Sequence, residues 1–125
     1  MPIRSYRDLV VWQKAMDLVV DCYRVSTSFP DSERYGLTSQ LQHAAVSIPA
    51  NFAEGRARGH LKEFIKHLGI ACGSQAELET HIEIAFRLKY VDAHSQTRLN
   101  QRLAEIGRML TALRTSLRRR LNENK

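Results

Sequence analysis

Apolar residues recur along this chain at intervals of three and four positions, the spacing that places them on one face of an α-helix. No segment shows the alternation of apolar and polar residues, bounded by turn formers, that is typical of a β-strand. The pattern predicts four helices, over about residues 6–28, 37–58, 61–89 and 93–121. Four helices with short connections favour an all-α fold, an antiparallel up-down-up-down four-helix bundle that forms a single domain over residues 1–125.

The predicted core is clearest in the second and fourth helices. The apolar stripe of the second helix consists of Leu37, Leu41, Ala44, Ile48 and Phe52. That of the fourth helix follows a heptad repeat and consists of Leu99, Leu103, Ile106, Leu110, Leu113 and Leu117. Ser5 followed by Asp8 resembles a capping box at the start of the first helix. Either Asp92 or Ser95 can cap the fourth helix.

The first helix has a wider apolar face than packing against one side of a bundle requires. At about 100° per residue, its apolar residues fill an arc of roughly 200°, whereas a surface helix needs a stripe of little more than about 100°. We expect further copies of the same chain to cover the surplus, so that the protein forms a homo-oligomer. The residues assigned to this contact between copies are Val11, Trp12, Ala15, Leu18 and Cys22.

The second helix carries a proline near its centre. Pro49 has no backbone N–H, and its ring clashes with the carbonyl of Ala45, which costs about 3 kcal/mol in a helix interior. The apolar spacing nevertheless keeps its phase across the proline. We therefore favour one kinked helix over two shorter helices that meet near Ile48.

A row of polar residues follows one face of the second helix. It contains Gln40, His43, Ser47, Asn51 and Glu54. Such a row can face solvent or another subunit, which is the interpretation we favour, or it can pair with a neighbouring helix or bind a ligand. Catalysis is disfavoured, because no acidic residue is placed to orient His43 towards Ser47 and no nucleophile elbow is present. We expect that the protein is not an enzyme.

Several other classes of protein and site are also disfavoured. Cys22 and Cys72 are too few for a disulfide scaffold and are predicted to be reduced thiols in a cytoplasmic protein. No apolar run approaches the ~18 residues of a membrane span, and the N-terminus has no signal-peptide pattern. His60, Glu63 and His67 share a helix face, but no second set of metal ligands is apparent. We therefore expect neither a metal, nor a cofactor, nor contact with a membrane.

Three segments carry a resemblance to a known family. They are YRDLVVWQKAMDLV (6–19), YGLTSQLQHAAVSIPANFAEG (35–55) and KEFIKHLGIACGSQAELET (62–80). Together they resemble the 23S rRNA intervening-sequence proteins, or S23-like proteins, over most of the chain. The resemblance extends in fold to the accessory proteins of diversity-generating retroelements.

The resemblance implies a short antiparallel bundle that assembles as a pentameric barrel and is not known as an enzyme. Some members are encoded inside insertions of large-subunit ribosomal RNA genes, and the retroelement relatives bind nucleic acid and a reverse transcriptase. One departure concerns the residues before AAVSIP, which are basic in many members but are Gln42 and His43 here. A phosphate contact at this point would be weaker and would depend on protonation of His43.

The chain has a formal net charge of +6, and two clusters of basic residues stand out. The first surrounds the break between the second and third helices and contains Arg56, Arg58, Lys62 and Lys66. The second lies near the end of the fourth helix and contains Arg114, Arg118, Arg119 and Arg120. We expect these clusters to lie at opposite ends of the bundle. Solvated helix ends explain each cluster alone, but five copies would carry a charge of about +30, enough to attract a polyanion.

Aromatic residues are not interleaved with the arginines, so binding would depend on backbone phosphates rather than on bases. These features predict a non-enzymatic oligomer that binds structured RNA or DNA. The alternative is a protein–protein adaptor or scaffold that holds a nucleic-acid-processing enzyme, such as a polymerase. In that case Gln40, Asn51 and Glu54 would give specificity.

Overall fold

A computed structural model describes residues 6–123, with the backbone alone at Asp8. Its four α-helices are α1 (Val10–Ser26), α2 (Leu37–Ala57), α3 (Leu61–Arg87) and α4 (Ala93–Glu123). Within residues 6–123 there is no β-strand, so the predicted all-α four-helix bundle is confirmed. None of the helices in this range is long and apolar enough to cross a membrane.

The starts of α1 and α4 show what sets the helix boundaries. Tyr6–Asp8 forms a single 3₁₀ turn and Leu9 is extended, so α1 begins later than predicted. The predicted cap at Ser5 lies outside the described residues. At the start of α4, the Oδ1 atom of Asp92 accepts a hydrogen bond of 2.7 Å from the backbone N–H of Ser95. This bond lowers the pKa of Asp92, and it identifies Asp92 rather than Ser95 as the cap.

The second helix passes through Pro49 without interruption, so the alternative of two shorter helices is wrong. Ile48 and Phe52 flank the proline, and each is only 1% exposed. Burying two large apolar side chains contributes several kcal/mol, which offsets the cost of about 3 kcal/mol for a proline in a helix interior. The kink remains a prediction.

The core lies between the four helices and follows the predicted stripes. All the stripe residues of α2 and α4 are buried except Leu37 and Leu113, which are half-buried. Each helix contacts two others: α1 and α3 each pack against both α2 and α4. The contacts between α1 and α4 run in opposite directions along the two helices, since Asp21 contacts Arg98 and Lys14 contacts Glu105.

The expected contact between copies on α1 needs correction. Val11, Ala15, Leu18 and Cys22 are at most 7% exposed within the single chain, because they face the core formed with α2 and α4. Trp12 is half-buried, with its ring centroid 5.4 Å from that of Tyr6. Four of the five assigned residues are therefore not available to a second copy. The exposed apolar side chains of α1 are Val10, Met16, Val20 and Tyr23.

Candidate nucleic-acid interface

A tight turn joins α2 to α3 and brings basic residues from both helices together. Gly59 adopts a φ of +74°, a left-handed conformation that glycine adopts without the steric cost of a side chain. Arg56 and Arg58 close α2 just before the turn, and Lys62 lies in the first turn of α3. The first basic cluster is therefore a local consequence of this short connection.

The last turns of α4 lie at the same end of the bundle. A cleft at this end is lined by Arg56 and Phe64 from the side of the α2–α3 turn and by Leu117 and Arg120 from α4. The expectation that the two basic clusters lie at opposite ends is therefore wrong. Gln96 of α4 contacts Glu83 of α3, and Arg114 of α4 lies against Gly69 of α3, so the last turns of α4 lie near the start of α3.

The convergence of the two basic clusters places nearly all of the net charge of the chain at this end of the bundle. Residues 54–69 and 114–123 contain eight of the nineteen lysines and arginines of the chain but three of its thirteen acidic residues. Their formal charge is +5, out of +6 for the whole chain. We call this region the basic end; its cations are Arg56, Arg58, Lys62, Lys66, Arg114, Arg118, Arg119 and Arg120. Charge of one sign in one place attracts polyanions over longer range than scattered charge does.

Most cations of the basic end have no acidic partner among the residues that the structure describes. Within residues 6–123, only Arg58 among them forms an ion pair, with Nη2 3.1 Å from Oε1 of Glu54. The Arg58 hydrogen bond, together with the charges of His67 and Lys66, lowers the pKa of Glu54. Arg114 is half-buried, and the other seven cations are exposed. The Arg56 guanidinium also lies 5.9 Å from the ring centroid of Phe64.

Two residues of the polar row of α2, Ser47 and Asn51, are used inside the bundle. Asn51 Nδ2 donates to the backbone oxygen and to Oγ of Ser47, both at 2.9 Å. Ser74 Oγ on α3 donates to the same Ser47 Oγ at 2.8 Å. Asn51 Oδ1 lies 3.0 Å from Nδ1 of His67, which is buried. Pairing with a neighbouring helix, one of the alternatives for this row, is therefore what the structure shows for Ser47 and Asn51.

The remaining residues of the row lie at the edge of this network. Glu54 Oε2 is 3.4 Å from Nδ1 of His67, whereas Gln40 and His43 are exposed. On the other side of the imidazole, Glu63 Oε2 is 3.8 Å from Nε2. Among the described residues, no group of three or more His, Cys, Asp or Glu side chains is placed to hold a metal ion.

Comparison with known proteins assigns the family. The model of a family described as 23S rRNA-intervening sequence protein matches residues 7–112. The chain belongs to this family. No curated protein matches the chain.

A solved structure has the same fold as this chain. It is a crystal structure of a protein of unknown function from the S23 ribosomal protein family, from Bacteroides thetaiotaomicron. The two are 23% identical, with a TM-score of 0.75 over 83% of this chain and 97% of that chain. The family match ends at residue 112, before the α4 members of the basic end. Family membership therefore gives no information on Arg114 or on the arginines that follow it.

Gly55 has a role in the packing of α2 against α3 that the sequence pattern did not predict. A β-carbon there would lie 2.6 Å from Cβ of His67 and 3.3 Å from Cα of Phe64. The glycine therefore allows α2 and α3 to approach closely beside the His67 network. The available signal was a glycine inside the predicted second helix, three residues before its predicted end at residue 58.

Proposed function

We propose that this protein is a non-enzymatic, cytoplasmic, homo-oligomeric bundle that binds structured RNA or DNA through backbone phosphates. The observation that carries the proposal is the convergence of two basic clusters, distant in sequence, on one end of the bundle. Seven of the eight cations at this end have no ion pair within residues 6–123. They can therefore release counterions from phosphates without first breaking an ion pair inside the protein.

The surroundings of these cations favour recognition of charge and shape over recognition of bases. Phe64 is 8% exposed, so it offers no free ring face on which a base could stack. The most exposed aromatic residue is Tyr35, at 86%, and it lies in the connection between α1 and α2, at the other end of α2. Phosphate contacts made by arginine and lysine carry no sequence information directly.

Exposed apolar side chains support the oligomeric part of the proposal. Met16, Val20 and Tyr23 on α1 are between 37% and 45% exposed, and Val46 on the neighbouring α2 is 39% exposed. Apolar side chains on adjacent helices are a suitable contact for a second copy of the chain. The number of five copies comes from the family resemblance. A pentamer would carry a formal charge of about +30, which would raise the local concentration of a polyanion.

The test is fluorescence anisotropy with labelled RNA and DNA duplexes of about 20 base pairs. Arg56→Gln and Lys62→Gln should each weaken binding of both duplexes. Each should also lower the salt slope, the steepness with which log affinity falls with log salt concentration, by about one for each phosphate that is no longer bound. Arg34→Gln, which removes a cation at the other end of α2, is the matched control and should bind like the wild type. Absence of wild-type binding at low salt would refute the proposal.

A second candidate is an adaptor or scaffold for a nucleic-acid-processing enzyme such as a polymerase. The exposed apolar side of α1 favours it, since such a surface suits a partner protein as well as a second copy. Of the three proposed specificity groups, Asn51 is engaged inside the bundle and Glu54 forms an ion pair with Arg58. Gln40 is exposed and can contact a partner protein. A protein partner should stay bound at salt concentrations that release nucleic acid.

A further inference from the structure

Arg114 differs from the other cations of the basic end because its guanidinium lies against α3. A β-carbon at Gly69 would lie 2.8 Å from Nη2, 3.2 Å from Cζ and 3.4 Å from Nε of Arg114. Three atoms of the guanidinium therefore pass close over the glycine. Any side chain at position 69 would occupy the space that the arginine now uses.

Arg114 has no charged partner in the part of the chain that the structure describes. It is half-buried, and no carboxylate of residues 6–123 lies within 4.0 Å of it. Its Nε atom is enclosed and has no hydrogen-bond partner in this range. An arginine with a structural role would usually have its donors satisfied by a carboxylate or a carbonyl. No hydrogen bond or ion pair within residues 6–123 uses its terminal N–H groups, so they can donate to an external anion.

Other cations flank the same seam between α3 and α4. Lys62 and Lys66 precede Gly69 by seven and three positions, and Arg118 follows Arg114 by four. Residues at these spacings are neighbours on one face of a helix. Arg114 therefore lies in a row of four cations that runs along the seam, formed by Lys62, Lys66, Arg114 and Arg118.

We propose that Arg114 is the preorganised phosphate-binding group of the basic end, and that Gly69 determines polyanion affinity by leaving room for its guanidinium. This inference rests on the proposed function. The planar guanidinium can donate two parallel hydrogen bonds to a phosphate. Because the side chain already lies across α3, it loses less conformational entropy on binding than the exposed lysines do.

The sharpest test compares two glycine-to-alanine substitutions on α3. Gly69→Ala places a β-carbon against the guanidinium of Arg114, which can move because it is the far end of a flexible side chain. Gly73→Ala, four residues later, meets no atom within 4 Å and is the matched control. Both changes replace glycine by a better helix former, so both variants should fold at least as well as the wild type. Arg114→Gln removes the charge itself.

The probes are labelled RNA and DNA duplexes of about 20 base pairs, titrated between about 50 and 200 mM salt. We expect Arg114→Gln to lose about tenfold in affinity and to lower the salt slope by about 0.9 for each phosphate that the arginine binds. Gly69→Ala should lose about threefold, and Gly73→Ala should bind like the wild type. Thermal melting checks that each variant is folded.

Each outcome is decisive. If Gly69→Ala binds like Gly73→Ala, the glycine does not set the affinity, and if Arg114→Gln binds like the wild type, Arg114 is not the phosphate-binding group. Either result overturns the inference while leaving the proposed function in place, because wild-type binding is still observed. A wild type that binds neither duplex overturns the proposed function instead.

Discussion

Replacing Gly55 with alanine tests how closely α2 and α3 approach each other. The new methyl group would lie 2.6 Å from Cβ of His67, which is close to the backbone and cannot rotate away. It would also lie 3.3 Å from Cα of Phe64. The two helices must therefore separate locally, or both must shift along their axes.

The expected magnitude follows from two opposing effects. Overpacking a core costs about 1–3 kcal/mol, and a contact with such rigid atoms belongs in the upper part of that range. The higher helix propensity of alanine returns about 1 kcal/mol. We therefore expect Gly55→Ala to lower the free energy of unfolding by about 2 kcal/mol. For a chain of this size, the melting temperature should fall by about 8 °C.

Circular dichroism during thermal and urea unfolding measures this effect. Gly73→Ala again serves as the control, because the same chemical change there meets open space and should raise the melting temperature by about 4 °C. Opposite signs for the two substitutions would support the close approach. An equal gain in stability for both would refute it, since Gly55 would then have room for a side chain.

Three further predictions concern acid stability, thiol reactivity and assembly. Arg98 donates two hydrogen bonds to Asp21, and these bonds lower the pKa of the Asp21 carboxyl group. The stability that this pair contributes is therefore present above the unfolded-state pKa of about 4 and is lost as the pH falls below it. The free energy of unfolding, measured with urea, should depend less on pH between about pH 5 and 2 in Asp21→Asn than in the wild type. An equal pH dependence of the two proteins would contradict this. Burial raises the pKa of the Cys22 thiol to about 12, so mass spectrometry after iodoacetamide treatment should find Cys22 alkylated only once the protein unfolds. Val20→Glu should lower the native mass without unfolding the chain, and an unchanged mass would show that this side of α1 is not the contact between copies.

Helical periodicity was sufficient to predict the number of helices and most of the core. Leu41, Ile48 and Leu103 are buried where their spacing placed them, because a stripe of apolar residues on a helix needs a partner surface. The same periodicity misled on α1. The width of the apolar arc indicates that the other helices cannot cover all of the apolar face, but it does not indicate which part of the face packs in the core. Leu18 and Cys22 were therefore assigned to the wrong surface.

The candidate site depended on relations that a single helix pattern does not contain. The basic end forms because the last turns of α4 lie beside the α2–α3 turn, whereas we expected the clusters of Arg56 and Arg114 at opposite ends of the bundle. The roles of Gly55 and Gly69 depend on side chains that approach from other positions in the chain, His67 and Arg114. Propensity alone predicts only a loss of helix stability at each glycine.

The concentration of charge at one end of the bundle has a consequence for assembly. In a cyclic ring whose helices run along the symmetry axis, every subunit points the same way, so all the positive poles share one rim. Mutual repulsion across that rim opposes ring closure, and added electrolyte screens it. In such a ring, salt should therefore strengthen the association of the subunits while it lowers the affinity for a polyanion. A bound polyanion should stabilise the ring when the ionic strength is low.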